Sequence, residues 1–170
     1  MDIKKHTHKE AHYQLLVMHS WRYEIPQEQR NIIIAEALNK CTVDKDFKVY
    51  GYLITNRRVF LIGHSKTTPF QKVLQYFYKK VALGIMRYKN RNETYKEKHL
   101  LESKVHHNLF TEYPFYNKSI KQSITGHKVE FPYYDPHLKR LQEYIHHHNY
   151  CSALDYSGGK SPVIVHQIEA

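Results

Sequence analysis

The strongest constraint in this chain is local: two β-rich runs, FKVYGYLI and RRVFLIG, are separated only by the short turn Thr55-Asn56-Arg57. β-Branched and aromatic side chains suit a pleated, half-buried surface, and two such runs joined by a few polar residues read as a β-hairpin. The two strands must be antiparallel neighbours, and the rest of the chain has to cover at least one face of that pair.

The flanking segments supply the cover. Before the hairpin, Pro26 followed by QEQRNIIIAEALNKC reads as a helix opened by proline, with Ile33, Ile34, Ala37, Leu38 and Cys41 on one apolar stripe. After it, Pro69 opens FQKVLQYFYKKVALGIMRY, in which Phe70, Val73, Leu74, Phe77, Val81 and Ile85 share a face. HYQLLVMHSWRYEI, starting at His12, alternates Tyr13, Leu15 and Val17 against Leu16 and Met18 and reads as a first strand. DPHLKRLQEYIHHHNYCSAL reads as a third helix entered at Asp135-Pro136, with Leu138, Leu141 and Ile145 inward. Residues 90 to 136 are less ordered in pattern: HHNLFTEYPFYNKSI suggests a short strand or an irregular aromatic loop, and a mobile loop is expected around Gly126. The order predicts an α+β fold, an antiparallel sheet with helices packed on one face, close to a ferredoxin-like arrangement.

A chain of 170 residues suits one domain. Its expected extent is 12–156, after a flexible N-terminus at 1–11 and before a C-terminal tail at 157–170 that reads as a flexible linker and a short extended piece. Cys41 and Cys151 lack CxxC spacing and are expected as buried free thiols. The first residues carry no apolar signal region, and no run approaches the ~18 apolar residues of a membrane span, so a cytoplasmic protein without a membrane partner is expected.

Charge points to a partner. Lys and Arg outnumber Asp and Glu by 26 to 16, a formal +10 before any of the 14 histidines is protonated, and such an excess attracts polyanions. With 15 Tyr and 7 Phe available to stack on bases, nucleic acid is the first partner to consider.

KVYGYLITNRRVFLIG resembles the signature hairpin of the IS200-like and REP-associated single-tyrosine transposases, in which a strand and tight turn lead into a metal-binding His-x-His. HYQLLVMHSWRYEI resembles that family's opening strand, QRNIIIAEALNK its first helix, PFQKVLQYFYKKVALGIMRYKN its next long helix and LKRLQEYIHHHNYCSAL its catalytic helix, over about residues 12 to 156. The resemblance implies a single-tyrosine-transposase-like fold, single-stranded or hairpin DNA as partner, and a homodimer as one assembly. In that family the two histidines hold a divalent metal that polarises a DNA phosphate, and a helical tyrosine attacks the phosphorus to leave a 5′-phosphotyrosine.

Here the motif reads Arg58-Val59-Phe60. Arg58 has no lone pair to offer a metal and Phe60 has no donor atom. Tyr144 matches the family's nucleophile, and His148, one helical turn on, matches the third ligand. His64 could share a face with Phe60, so a relocated His64 and His148 site is one candidate, with His106, His107, His146 and His147 as further imidazoles.

Two functions follow. In the first, the domain binds nucleic acid without cleaving it and needs no cofactor: Arg57 and Arg58 contact phosphate where the metal would lie, and Lys66, Lys72, Lys79 and Lys80 follow the backbone. In the second, a divergent enzyme uses Tyr144 with Mg²⁺ or Mn²⁺ held by unconventional ligands.

Overall fold

The hairpin closes as its sequence demands. In the computed structural model, which describes residues 11–90, 109–127 and 135–168, β2 (Phe47–Ile54) and β3 (Arg58–Ser65) pair antiparallel from Phe47 opposite Ser65 to Ile54 opposite Val59. Thr55 ties the turn: its backbone N–H donates to the Arg58 carbonyl at 2.8 Å, and its hydroxyl accepts from the Arg58 N–H at 3.0 Å.

β1 (His12–Met18) lies beside β3, and β4 (Phe110–Pro114) beside β1, giving an all-antiparallel sheet in the order β2-β3-β1-β4. Helix α1 (Gln27–Lys45) carries the chain from β1 across β3 to β2, and α2 (Phe70–Lys89) carries it from β3 towards β4. The architecture is α+β and consistent with a ferredoxin-like arrangement. Pro26 takes the cap position of α1, and Asp46, in the left-handed region at φ 53°, ends it by donating its N–H to the Cys41 carbonyl. Among the described residues, no helix is long and apolar enough to cross a membrane.

The expected stripes on α1 and α2 are buried, with Phe70 only partly so, and they meet Leu16, Met18, Phe47, Val59 and Leu61 of the sheet. Cys41 and Cys151 are buried free thiols.

The expectation of helices on one face is corrected. The opposite face is covered too: Tyr50, Leu53, Phe60 and Ile62 pack against Phe115, against Ile120 and Ile124 of α3 (Lys118–Ile124), and against Ile145 of α4 (Pro136–His146). Alternating residues of β3 are apolar on both sides, so either face left open would cost its burial energy, about 25 cal/mol per Å². A bulge at Tyr50 and Gly51 makes this possible on β2 by shifting the alternation, so that Phe47 and Val49 before it face the same core as Tyr52 and Ile54 after it. Gly51 is needed there because a Cβ would stand 2.9 Å from the Ile124 carbonyl oxygen of α3.

Two further expectations change. Gly126 itself is held in place: at φ 78° it ends α3, the His127 N–H returns to the Gln122 carbonyl at 2.8 Å, and the Tyr156 ring packs against it, while 128–134, the rest of the expected mobile loop, lie outside the described residues. The tail from 157 to 168 is built into the domain, and 169–170 lie outside the described residues. Val163 and Ser161 are buried, Asn39 of α1 bonds the Pro162 carbonyl and the Ile164 N–H, and the His166 N–H donates to the Val49 carbonyl.

The outer edge of β2 is covered along its length. The Ile54 N–H donates to the Tyr150 carbonyl, the Ser152 N–H to the Tyr52 carbonyl, and the Tyr156 hydroxyl, from the short helix α5 (Ala153–Tyr156), to the Tyr50 carbonyl. The expected flexible N-terminus at 1–11, apart from Ala11, lies outside the described residues, as do His106, His107 and the side chains of Leu138 and His146.

Candidate nucleic-acid interface

The hairpin tip is held from below by a side chain that sequence patterning does not single out. Arg30 of α1 is buried, and its guanidinium donates to the carbonyls of Arg22, Ile25 and Asn56 and to the Asn56 side-chain oxygen. These acceptors lie eight and five residues before it and 26 after it, so no local motif announces them. The clamp joins α1, the 3₁₀ turn Ser20–Tyr23 and the hairpin turn, and so fixes where Arg57 and Arg58 stand.

Arg57 and Arg58 are exposed, and among the described residues neither is in an ion pair. Arg58 opens β3 on the face of Phe60 and Ile62, the side on which α3 and α4 pack. Phe60 is only 8% exposed, with its ring 5.2 Å from that of Phe115 in an edge-to-face contact. The position at which the resemblance would call for a second histidine is thus filled by hydrocarbon.

At the same end of this face stands the last turn of α4. Tyr144 is 45% exposed, and its ring stacks on His148 with centroids 5.0 Å apart. Burial, chiefly, raises the Tyr144 phenol above its ordinary value, the direction opposite to an activated nucleophile. His148 donates through Nε2 to the carbonyl of Ile54, at the end of β2, so this nitrogen is committed to the backbone.

The pairing of His64 with His148 is corrected. His148 is anchored at Ile54, which pairs with Val59, whereas His64 lies five strand residues further along β3, about 17 Å at the usual rise. His64 instead stacks near His12, with centroids 6.2 Å apart, and His12 in turn lies 4.4 Å from the Phe70 ring. The residues gathered around Arg58 therefore do not fit a divalent metal: a guanidinium, a phenyl ring and an imidazole nitrogen already used offer no ligand pair.

The expected line of lysines divides in two. Lys72 and Lys79 are exposed on α2, on the other side of the sheet from Arg58, and line a groove of about 610 Å³ with Lys45 and Glu112. Lys80 is half-buried, its ammonium 5.1 Å from the centre of the Tyr76 ring. Lys66 is exposed in the turn before α2, at the far end of β3 from the arginines. The Arg58 face has cations of its own that the sequence reading missed. Lys118 and Lys121 border a second hollow of about 400 Å³, and the Lys121 ammonium sits 4.6 Å over the Tyr13 ring. A lysine spacing of three on a helix marks them, but α3 itself was hidden in the irregular segment.

No family model matches the chain, and no match was found among curated proteins or solved structures.

Proposed function

We propose that the domain binds single-stranded or hairpin DNA on a single-tyrosine-transposase-like scaffold, without metal-dependent strand cleavage. One observation carries this reading. Within three residues of β3, Phe60 is packed into hydrocarbon where a ligand histidine would be required, while Arg58 keeps an exposed guanidinium with no carboxylate partner among the described residues. A guanidinium in that position offers a planar, bidentate grip on a phosphate without a metal.

Lys118 and Lys121 extend positive charge over the same face, and Tyr144 and Tyr116 are exposed rings on which bases can stack. A contact set of this kind binds mainly through the backbone and weakens steeply with salt. The test is fluorescence anisotropy of a labelled DNA hairpin with a single-stranded flank across a salt series. Arg57→Gln/Arg58→Gln is expected to lower the slope of log K against log salt by about 1.4, near 0.7 per lost contact on single strands. An unchanged slope in that variant would remove the arginines from the interface. The domain acts alone or as a homodimer, which sedimentation with and without DNA separates.

The exposure of Tyr144 beside His148 favours a second reading, in which the domain is a divergent nickase forming a phosphotyrosine. Incubating the protein and its Tyr144→Phe variant with the same hairpin and Mg²⁺ or Mn²⁺ decides between them. A gel-stable covalent adduct that vanishes in the variant establishes the enzyme; binding without adduct supports the proposal.

A further inference from the structure

On the far side of the sheet from Arg58, the groove between α2, the last turn of α1 and β4 has its own chemistry. Its cations are Lys45, Lys72 and Lys79, against one carboxylate, Glu112. About 610 Å³ is the scale of a nucleotide-sized ligand. Lys72 and Lys79 are seven residues apart on one helix, about 10 Å along its axis, a spacing that suits two separate phosphates of a chain better than one isolated phosphate.

The groove wall is aromatic, and one of its cations is positioned by it. The Tyr76 ring is flanked by the Lys45 ammonium at 4.8 Å and the Lys80 ammonium at 5.1 Å, and its hydroxyl donates to Asp44. The first contact holds Lys45, a flexible lysine, at the rim, which lowers the ordering cost of binding an anion there, while Lys80 lines a different hollow. Gln71 and Gln75, one helical turn apart on the same wall, bring amide donors and acceptors that can meet base edges. Asp44 is engaged by the Tyr76 hydroxyl, and the lining acid Glu112 stands on β4, beside Tyr78; a carboxylate there repels phosphate and accepts from a base amino group, so the groove has a backbone side and a base side.

We infer that this groove is a second nucleic-acid site, in which Lys45, Lys72 and Lys79 grip the phosphates of a single strand and the amides and Glu112 face its bases. The identity of the ligand rests on the nucleic-acid reading above, while the site is separate from the arginine face. The domain therefore contacts nucleic acid on both sides of its sheet and can hold two segments of one folded strand.

The experiment uses the full chain and a fluorescein-labelled, mixed-sequence single-stranded oligodeoxynucleotide, titrated by anisotropy across a salt series. Lys72→Gln/Lys79→Gln is compared with wild type, with Arg57→Gln/Arg58→Gln and with the combined variant. Both groove lysines are exposed, and circular dichroism with a thermal melt verifies that each variant is folded. The expected result is a fall of about 1.4 in the salt slope for the groove variant, and roughly twice that for the combined one. A groove variant with the wild-type slope overturns the inference, whatever the arginine variant does. A loss confined to the groove variant upholds the inference and instead removes the arginine face from the proposed function. Competition separates the ligand classes: displacement by heparin as effective as by unlabelled oligonucleotide at equal charge, or displacement by a mononucleotide at equal concentration, overturns the single-strand assignment. If wild type does not bind at low salt, both readings fall together.

Discussion

Replacing Arg30 by methionine keeps most of the aliphatic stem and removes the guanidinium. The carbonyls of Arg22 and Ile25 then lose a charged donor beneath the protein surface, and Asn56 loses its tie to α1. Hydrogen bonds to a charged group contribute about 1.5–3 kcal/mol each, and acceptors left buried and unpaired cost about 1–3 kcal/mol each. Against this stands the desolvation of a cation that has no carboxylate among these partners, an offset of several kcal/mol. The balance is a loss of about 3 kcal/mol, within about 2–5 kcal/mol. At roughly 2–4 °C per kcal/mol for a chain of this size, Tm falls by about 6–12 °C. Urea denaturation followed by circular dichroism measures it: the midpoint drops with an unchanged m-value. Arg30→Lys keeps the charge but not the fork, and is expected to lose about half as much. A loss below about 1 kcal/mol in Arg30→Met would refute the clamp, because it would mean that water replaces the guanidinium at no cost. A double-mutant cycle with Asn56→Ala isolates the hairpin arm of the clamp, with an expected coupling of about 1 kcal/mol.

Phe60→Ala removes a ring packed on Phe115 and is expected to cost about 3–4 kcal/mol in the same urea assay; a cost near zero would mean that the site opposite α4 is not closed. His12 is held below the ordinary histidine value of 6.5, by burial first and by the neighbouring His64 second. The folded state therefore binds this proton less readily than the unfolded chain, so the contribution is intact above 6.5 and is lost as pH falls from there towards the folded value. His12→Gln should flatten that acidic limb in a profile of urea midpoint against pH, and an identical limb in the variant would exclude His12 as its source. Burial pushes both the Cys41 and Cys151 thiols up to about 12, so at pH 8 neither should react with a disulfide reagent until the chain is unfolded by urea. Rapid labelling of the native protein would contradict their burial.

Which parts of the structure were readable beforehand follows from where the information sits. The hairpin and the stripes on α1 and α2 are encoded over short windows: Ile33, Ile34, Ala37 and Leu38 need only helical periodicity to declare an inward face, and they are buried. The second core was hidden because Ile120 and Ile124 lie on a seven-residue helix too brief to show a period, so the inward face of Ile145 had no visible partner. The bulge at Tyr50 and Gly51 was invisible for a related reason, since one extra residue leaves the composition of a strand unchanged while moving its alternation. In the candidate site, the chemistry of Arg58 and Phe60 could be read from residue type alone. The commitment of His148 to Ile54 could not, because it joins residues 94 positions apart. Arg30 looks like any polar residue on the outer side of a helix until its acceptors are seen. The division of the lysines between two faces depends on where α3 packs, and that helix lay in the segment with the weakest pattern.

The covering of β2 also governs how copies of this domain could join through their sheets. A strand whose hydrogen-bonding edge is already occupied by Tyr150, Ser152 and His166 offers no template to another chain. Among the described residues, β4 is then the one strand at the sheet margin still open to pairing. A sheet with a single usable margin cannot propagate, because each new copy consumes the only margin that it brings. Pairing through β4 would stop at a closed twofold couple, so the fastened C-terminal segment acts as a terminator against fibre growth by sheet extension.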